Sequence, residues 1–80
     1  MDVLLFGIAK DIVGESEFQI NASNDIPKSV QELKDYMIKK FPDFGKLSSF
    51  AVAVNSEYAE DDVILNGNDE IAIIPPVSGG

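Results

Sequence analysis

Eighty residues make one small domain, and 45% hydrophobic beside 25% charged residues is the balance of a folded soluble chain rather than a disordered one. No Cys, His, Arg or Trp occurs, which excludes a disulfide framework, a zinc cluster, a thiol nucleophile, an imidazole acid–base and the guanidinium phosphate fork. Six Lys against 14 Asp and Glu leave a net charge of −8, which repels phosphate backbones and anionic membranes, so neither nucleic acid nor a membrane surface is expected as a partner.

A chain of this size buries roughly 60% of its unfolded surface, enough for one core and too little for a deep enclosed active site. Catalysis by the remaining Tyr, Lys and carboxylates would need strongly perturbed carboxylates or a metal. The sequence signals neither, so no metal site is expected and the chain does not read as an enzyme on its own. The acidity fits a basic partner surface that steers the encounter, or equally a chain kept soluble by its charge.

The opening MDVLLFGIAK has a short apolar stretch, an Asp ahead of it and no cleavage site after it, unlike a secretory leader. No run approaches the ~18 apolar residues of a membrane span. A cytoplasmic protein is expected, and without secretion the glycosylation-type triplet Asn21-Ala22-Ser23 carries little meaning.

Val3 to Ala9 is almost continuously apolar and reads as one strand buried on both faces, central in a sheet. Asp11 to Glu15 contains a turn glycine. Phe18 and Ile20 then alternate with Glu17 and Gln19, so a half-buried second strand completes a hairpin. Asn21 to Pro27 is loop-forming.

The clearest helix follows. Ser29 is its N-cap, and Glu32 three positions on completes a capping box. Val30, Leu33, Met37 and Phe41 recur at helical spacing, flanked by Tyr36 and Ile38, and form a core stripe. Asp35 and Lys39 make a favourable i,i+4 pair, and Pro42 stops the helix.

Phe50 to Val54 is a third strand, Asn55-Ser56 a tight reversal, and Glu57 to Ala59 a short fourth strand. Glu60-Asp61-Asp62 lacks the alternating oxygen ligands and glycine of a calcium loop and reads as a solvated acidic turn. Val63 to Leu65 is a short extended or helical-turn piece, Asn66 to Asp69 a turn, and Glu70 to Ile74 the last strand. A hairpin, a crossing helix and returning strands give an α+β fold with one main helix on one face of a mixed sheet. That is the β-grasp, or ubiquitin-like, arrangement; a ferredoxin-like fold missing its second helix is the alternative. The expected division is a domain over 1–74 and a tail over 75–80.

The tail has a chemistry of its own. Pro75 and Pro76 cannot donate to a ladder, so the strand must end there, and a Pro-Pro pair favours extended polyproline geometry. At ~3.1 Å per residue, the stretch from Pro75 to Gly80 can project roughly 18 Å. Val77 and Ser78 lead to Gly79 and Gly80, whose bare backbone can thread a narrow partner channel and leaves the terminal carbonyl unhindered. If the helix covers the Ile71/Ile73 face of the last strand, Ile74 lies uncovered at the root of the tail. Phe6 and Tyr58 are placed near it, as a partner-binding patch or as a minor second cluster under the loops.

IPPVSGG at 74–80, preceded by NGNDEIAI, with AVNSEYA at 53–59 and VLLFGIAKDIVG at 3–14, resembles the small, sulfur-carrier subunit of molybdopterin synthase, a ubiquitin-like β-grasp family. The resemblance covers nearly the whole chain in the family's order, with Gly7-Ile8-Ala9-Lys10 standing where the family more usually has an aromatic-alanine and arginine-rich stretch. It implies that the carboxylate of Gly80 is adenylated, at the expense of ATP, by an adenylyltransferase related to ubiquitin-activating enzymes, with no cofactor bound permanently. Sulfur then replaces an oxygen to give a thiocarboxylate. The tail enters the large subunit of the synthase, in a heterotetramer of two small and two large subunits, and sulfur passes to a cyclic pyranopterin monophosphate in molybdenum cofactor biosynthesis. Gly80 is thus the reacting residue and a co-substrate. Three other readings share these residues: a sulfur carrier for thiamin, cysteine or tRNA thiolation, a ubiquitin-like modifier of lysines, and a plain interaction domain with an inert tail.

Overall fold

The computed structural model describes residues 1–20, 26–47 and 50–75. In chain order these form β1 (Asp2–Leu5), α1 (Gly7–Val13), β2 (Glu17–Gln19), α2 (Val30–Lys40), a 3₁₀ turn (Pro42–Lys46), β3 (Ala51–Val54), β4 (Glu57–Ala59) and β5 (Ile71–Ile74). The strands make a mixed sheet in the order β2-β1-β5-β3-β4, with β1 and β5 parallel and every other pair antiparallel. With α2 across one face this is the expected β-grasp.

The first expected strand is corrected. It ends at Leu5 rather than Ala9, and only Val3 and Leu5, on one face, are buried. Gly7 adopts φ +55°, a left-handed conformation that breaks the extended run. Ile8, Ala9, Ile12 and Val13 then repeat at helical spacing, Ala9 is fully buried, and Gly14 closes α1 in the left-handed conformation with its N–H on the Lys10 carbonyl. The first hairpin therefore carries a two-turn helix. The apolar run held a strand and a helix end to end, and unbroken hydrophobicity hid the change of period.

From α2 onward the structure follows the sequence closely. The Glu32 N–H donates to the Ser29 hydroxyl at 3.2 Å, while the Glu32 carboxylate reaches back to the Lys28 N–H. Val30, Leu33 and Met37 are buried against Val3, Leu5, Val52, Ile71 and Ile73 of the sheet. Asp35 accepts from Gln31 at 3.1 Å rather than pairing with Lys39. Past Pro42 the 3₁₀ turn inserts Phe44 into the core, and Phe18, Phe41, Phe44 and Phe50 follow one another edge to face or tilted at 5.3 to 6.2 Å.

The Asn55-Ser56 reversal has φ +53° and +71°, as a tight hairpin turn requires. Asn55 ties this turn to the approach of β5: its N–H donates to the Glu70 carbonyl, its side-chain amide donates to Asp69, and its side-chain oxygen accepts from the Glu70 N–H. Asp61, in the acidic turn, pairs with Lys34 of α2 at 2.7 Å. The piece around Ile64 makes a single antiparallel bridge to Ser29.

Candidate functional site

Strand alternation sorts the sheet into two faces. Ile71 and Ile73 of β5, Val52 of β3 and Val3 and Leu5 of β1 lie beneath α2. The other face carries the opposite set, and the registers align it into a row: Tyr58 pairs with Ala53, Ala53 with Ala72, Ala72 with Leu4, and Leu4 with Glu17. A second row nearer the end of β5 joins Ala51 to Ile74. Phe6 follows β1 with extended dihedrals, so it continues the alternation on Leu4's side.

Small alanines stand in the middle of this face between larger apolar groups, Ala53 buried and Ala72 half-buried. Ile74 is half-buried, whereas Phe6 is 50% and Tyr58 74% exposed, well above what a hydrophobic cluster under loops would leave. The structure brings Phe6 and Ile74 together at the end of neighbouring strands. Tyr58 shares their face but stands on the edge strand, two strand spacings from β5 and three from β1, about 10 and 14 Å across the sheet. The patch is thus a band across the sheet rather than a compact spot. Ala72 shares this face with Ile74 by simple alternation along β5, whereas Leu4, Ala51 and Ala53 complete it unannounced, because which strands neighbour β5 is not written in β5 itself.

Charge borders the same face. Leu4, Phe6, Gly7, Lys10 and Glu17 line a shallow groove at the end where β1 and β5 finish, and Asp2, Glu17, Asp69 and Glu70 surround a hollow toward the end where they begin. Asp69 is held below the ordinary carboxylate range by the Asn66 backbone N–H and the Asn55 side chain, so it is ionised at neutral pH. The rim therefore presents fixed negative charge around an apolar band, complementary to a basic partner with an apolar centre.

Pro75 is the one tail residue whose placement is described. It is half-buried against the start of α1, where a methyl built on Gly7 would come within 3.2 Å of the Pro75 ring. Pro76, Val77, Ser78, Gly79 and Gly80 lie outside the described residues, as do Asn21-Ala22-Ser23. Among the described residues no three His, Cys, Asp or Glu side chains are placed to hold a metal ion. No helix among them is long and apolar enough to cross a membrane.

The family is decided by a sequence comparison: the model of the ThiS family matches residues 3–80. The chain belongs to the ThiS family. Among ThiS-like relatives, it is 37% identical to the molybdopterin synthase sulfur carrier subunit of Arabidopsis thaliana, across 98% of this chain and 80% of that one. Among solved structures it resembles a putative molybdopterin converting factor subunit 1 from Pyrococcus furiosus, with a TM-score of 0.79 at 22% identity over 95% of each chain; this likeness speaks for the fold alone. It also resembles a chain in the complex of subunits 1 and 2 of molybdopterin-converting factor from Helicobacter pylori, with a TM-score of 0.63 at 28% identity over 99% of this chain and 96% of that one.

Proposed function

We propose that this ThiS-family chain is the sulfur carrier subunit of a molybdopterin synthase and that the backbone carboxylate of Gly80 carries the sulfur. A carboxylate is a poor electrophile. Its attack on the α-phosphorus of ATP, within a ubiquitin-activating-enzyme-like adenylyltransferase, expels pyrophosphate and leaves an acyl adenylate with a good leaving group. A sulfur nucleophile then adds to the Gly80 carbonyl and displaces AMP, giving the thiocarboxylate. Within the large subunit the sulfur passes to a cyclic pyranopterin monophosphate, and water returns Gly80 to the carboxylate.

The observation that carries the reading is the junction of Phe6, Ile74 and Pro75: an exposed apolar face runs straight into the root of the glycine-ended tail. A partner seated on that face receives the tail without any further reorientation of the domain. The chain has no Cys, so sulfur cannot travel on a side-chain thiol, and it has no His or Arg to bind an anionic substrate. Those groups belong to the partner, here a large subunit in a two-plus-two heterotetramer. The large-subunit assignment is supported by the H. pylori two-subunit complex and by the name of the A. thaliana relative.

The test is intact-mass spectrometry after incubation with the adenylyltransferase, ATP and a sulfur source. Replacement of one terminal oxygen by sulfur on Gly80, followed by its loss when the large subunit and the pterin substrate are added, is the expected result. A mass that never changes would sink the reading. Sulfur gained but not surrendered to the large subunit would assign the carrier to another thiolation pathway. Higher-mass lysine conjugates that vanish on deleting Gly80 would make it a modifier.

A further inference from the structure

The turn that leads into β5 reads Asn66-Gly67-Asn68-Asp69, and it is closed twice. The Asp69 N–H donates to the Asn66 carbonyl at 3.0 Å, and the Asn66 N–H donates to Asp69 Oδ2 at 2.8 Å. Asp69 also accepts from the Asn55 side-chain amide at 2.9 Å, and the Asn55 side-chain oxygen accepts from the Glu70 N–H. One carboxylate thus holds the turn, the β3–β4 hairpin and the entrance of β5 together. The asparagines of this network are not equivalent. Both polar atoms of the Asn55 side chain are engaged. Asn66 is exposed, and among the described residues no hydrogen bond engages its side-chain amide or the Gly67 N–H. A Cβ added at Gly67 would meet nothing within 4 Å, so the nitrogen that follows Asn66 is sterically open.

We infer that Asn66 is a site of spontaneous deamidation, and that the change loosens the tie between this turn and the start of β5. Asparagine is a thermolabile residue, and here both reacting atoms are free. The Gly67 nitrogen adds to Asn66 Cγ and gives up its proton to the departing amide nitrogen. A C–N bond forms to Gly67, the C–N bond of the side chain breaks, and ammonia leaves a cyclic succinimide. Water then opens the ring. Opening at Cγ gives an ordinary aspartyl residue, and opening at the backbone carbonyl gives an isoaspartyl residue whose chain runs through the former side chain. Glycine at 67 favours closure because it adapts its backbone and brings no Cβ into the ring's approach. The isoaspartyl form lengthens the turn by one methylene and places a carboxylate where the carbonyl that accepts from the Asp69 N–H now stands. That carboxylate faces the one on Asp69, and like charges at this range repel. Asp69 then loses its grip on Asn55 and, through Asn55, on the Glu70 N–H. The same charge enters the hollow lined by Asp2, Glu17, Gly67, Asp69 and Glu70. None of this depends on the sulfur-carrier reading.

The experiment incubates the full chain at neutral to mildly alkaline pH and maps it by mass spectrometry. Cleavage after glutamates separates Asn55 from Asn66, and fragmentation separates Asn66 from Asn68. The expected result is replacement of the Asn66 side-chain NH₂ by OH with Asn55 unchanged, and isoaspartate at 66 detected by an isoaspartyl carboxyl methyltransferase. Gly67→Ala adds its methyl in open space, where the backbone is not left-handed, so it should melt as wild type does while deamidating about tenfold more slowly. If Gly67→Ala does not fold, Asn66→Gln, whose longer side chain closes the ring far more slowly, takes its place. The purified isoaspartyl chain should melt a few degrees below the fresh chain, and below Asn66→Asp, which adds the charge without lengthening the turn. Asn55 reacting ahead of Asn66, or a slow-closing variant that reacts as fast as wild type, overturns the assignment of the site. An isoaspartyl chain that melts with the fresh one, or with Asn66→Asp, overturns the loosening of β5.

Discussion

Phe6 and Ile74 are apolar side chains left at the surface at the end of a sheet, and their energetic role depends on what covers them. If a partner does, Phe6→Asp or Ile74→Asp should weaken the large-subunit complex by about 2 kcal/mol or more, the range of a central anchor. The melting temperature should move by only a few degrees, since neither belongs to the buried cluster. Equal losses in titration calorimetry and thermal melts would return both residues to the core. Gly80 tests the other half of the reading. Its deletion should abolish sulfur transfer in an intact-mass assay with the melting temperature unchanged, because the buried cluster from Val3 to Ile73 supplies the stability. Asp69 offers a pH test. Its folded-state value is lowered by the Asn66 N–H and the Asn55 amide, so its contribution is present above the ordinary value of 3.8 and is lost as pH falls through the lowered one. Acid melts of Asn55→Ala should show a shallower loss of stability over that window than wild type does.

At the level of elements, α2 and α1 hold for different reasons. α2 announces itself through the Ser29 cap, the Val30–Leu33–Met37 stripe and the Pro42 stop, and it packs its stripe on the sheet. Leu33→Ala should cost about 2–5 kcal/mol in denaturant titrations, and Ser29→Ala about 1 kcal/mol. Ile38, on the same helix but 37% exposed, should cost far less. α1 has no side-chain cap at Phe6 and spans only seven residues, so it cannot persist alone and depends on burying Ala9 against the body of the fold. That dependence explains why it was invisible in the apolar run 3–9: both a buried strand and a short packed helix present hydrophobic residues without interruption, and Gly7, which divides them, acts through its backbone angle rather than through composition.

For the whole molecule, the net charge of −8 predicts association steered by a basic partner. Stopped-flow binding to the large subunit should slow by about tenfold or more between low and high salt, with the dissociation rate changing much less. A salt-independent association rate would reduce the acidity to a solubility device. Charge reversal at Asp2, Glu17, Asp69 and Glu70, which surround the hollow beside the apolar band, should lower that association rate more than charge reversal elsewhere on the surface.

The chain alone determined the α+β class through the order of its elements, and locally the boundaries of α2, β4 and the Asn55-Ser56 turn and the end of the last strand before Pro75. Each of these local features rests on residues within about one helical turn of one another, where local sterics and hydrogen bonding decide the conformation. Only the tertiary structure decided that β1 and β5 lie side by side, that Leu4, Ala53 and Ala72 join Phe6, Ile74 and Tyr58 on one uncovered face, and that Gly7 receives the Pro75 ring. The β1–β5 contacts join opposite ends of the chain, Leu4 to Ala72, and their register is set by the burial of the opposite face under α2, which no single stretch of sequence contains.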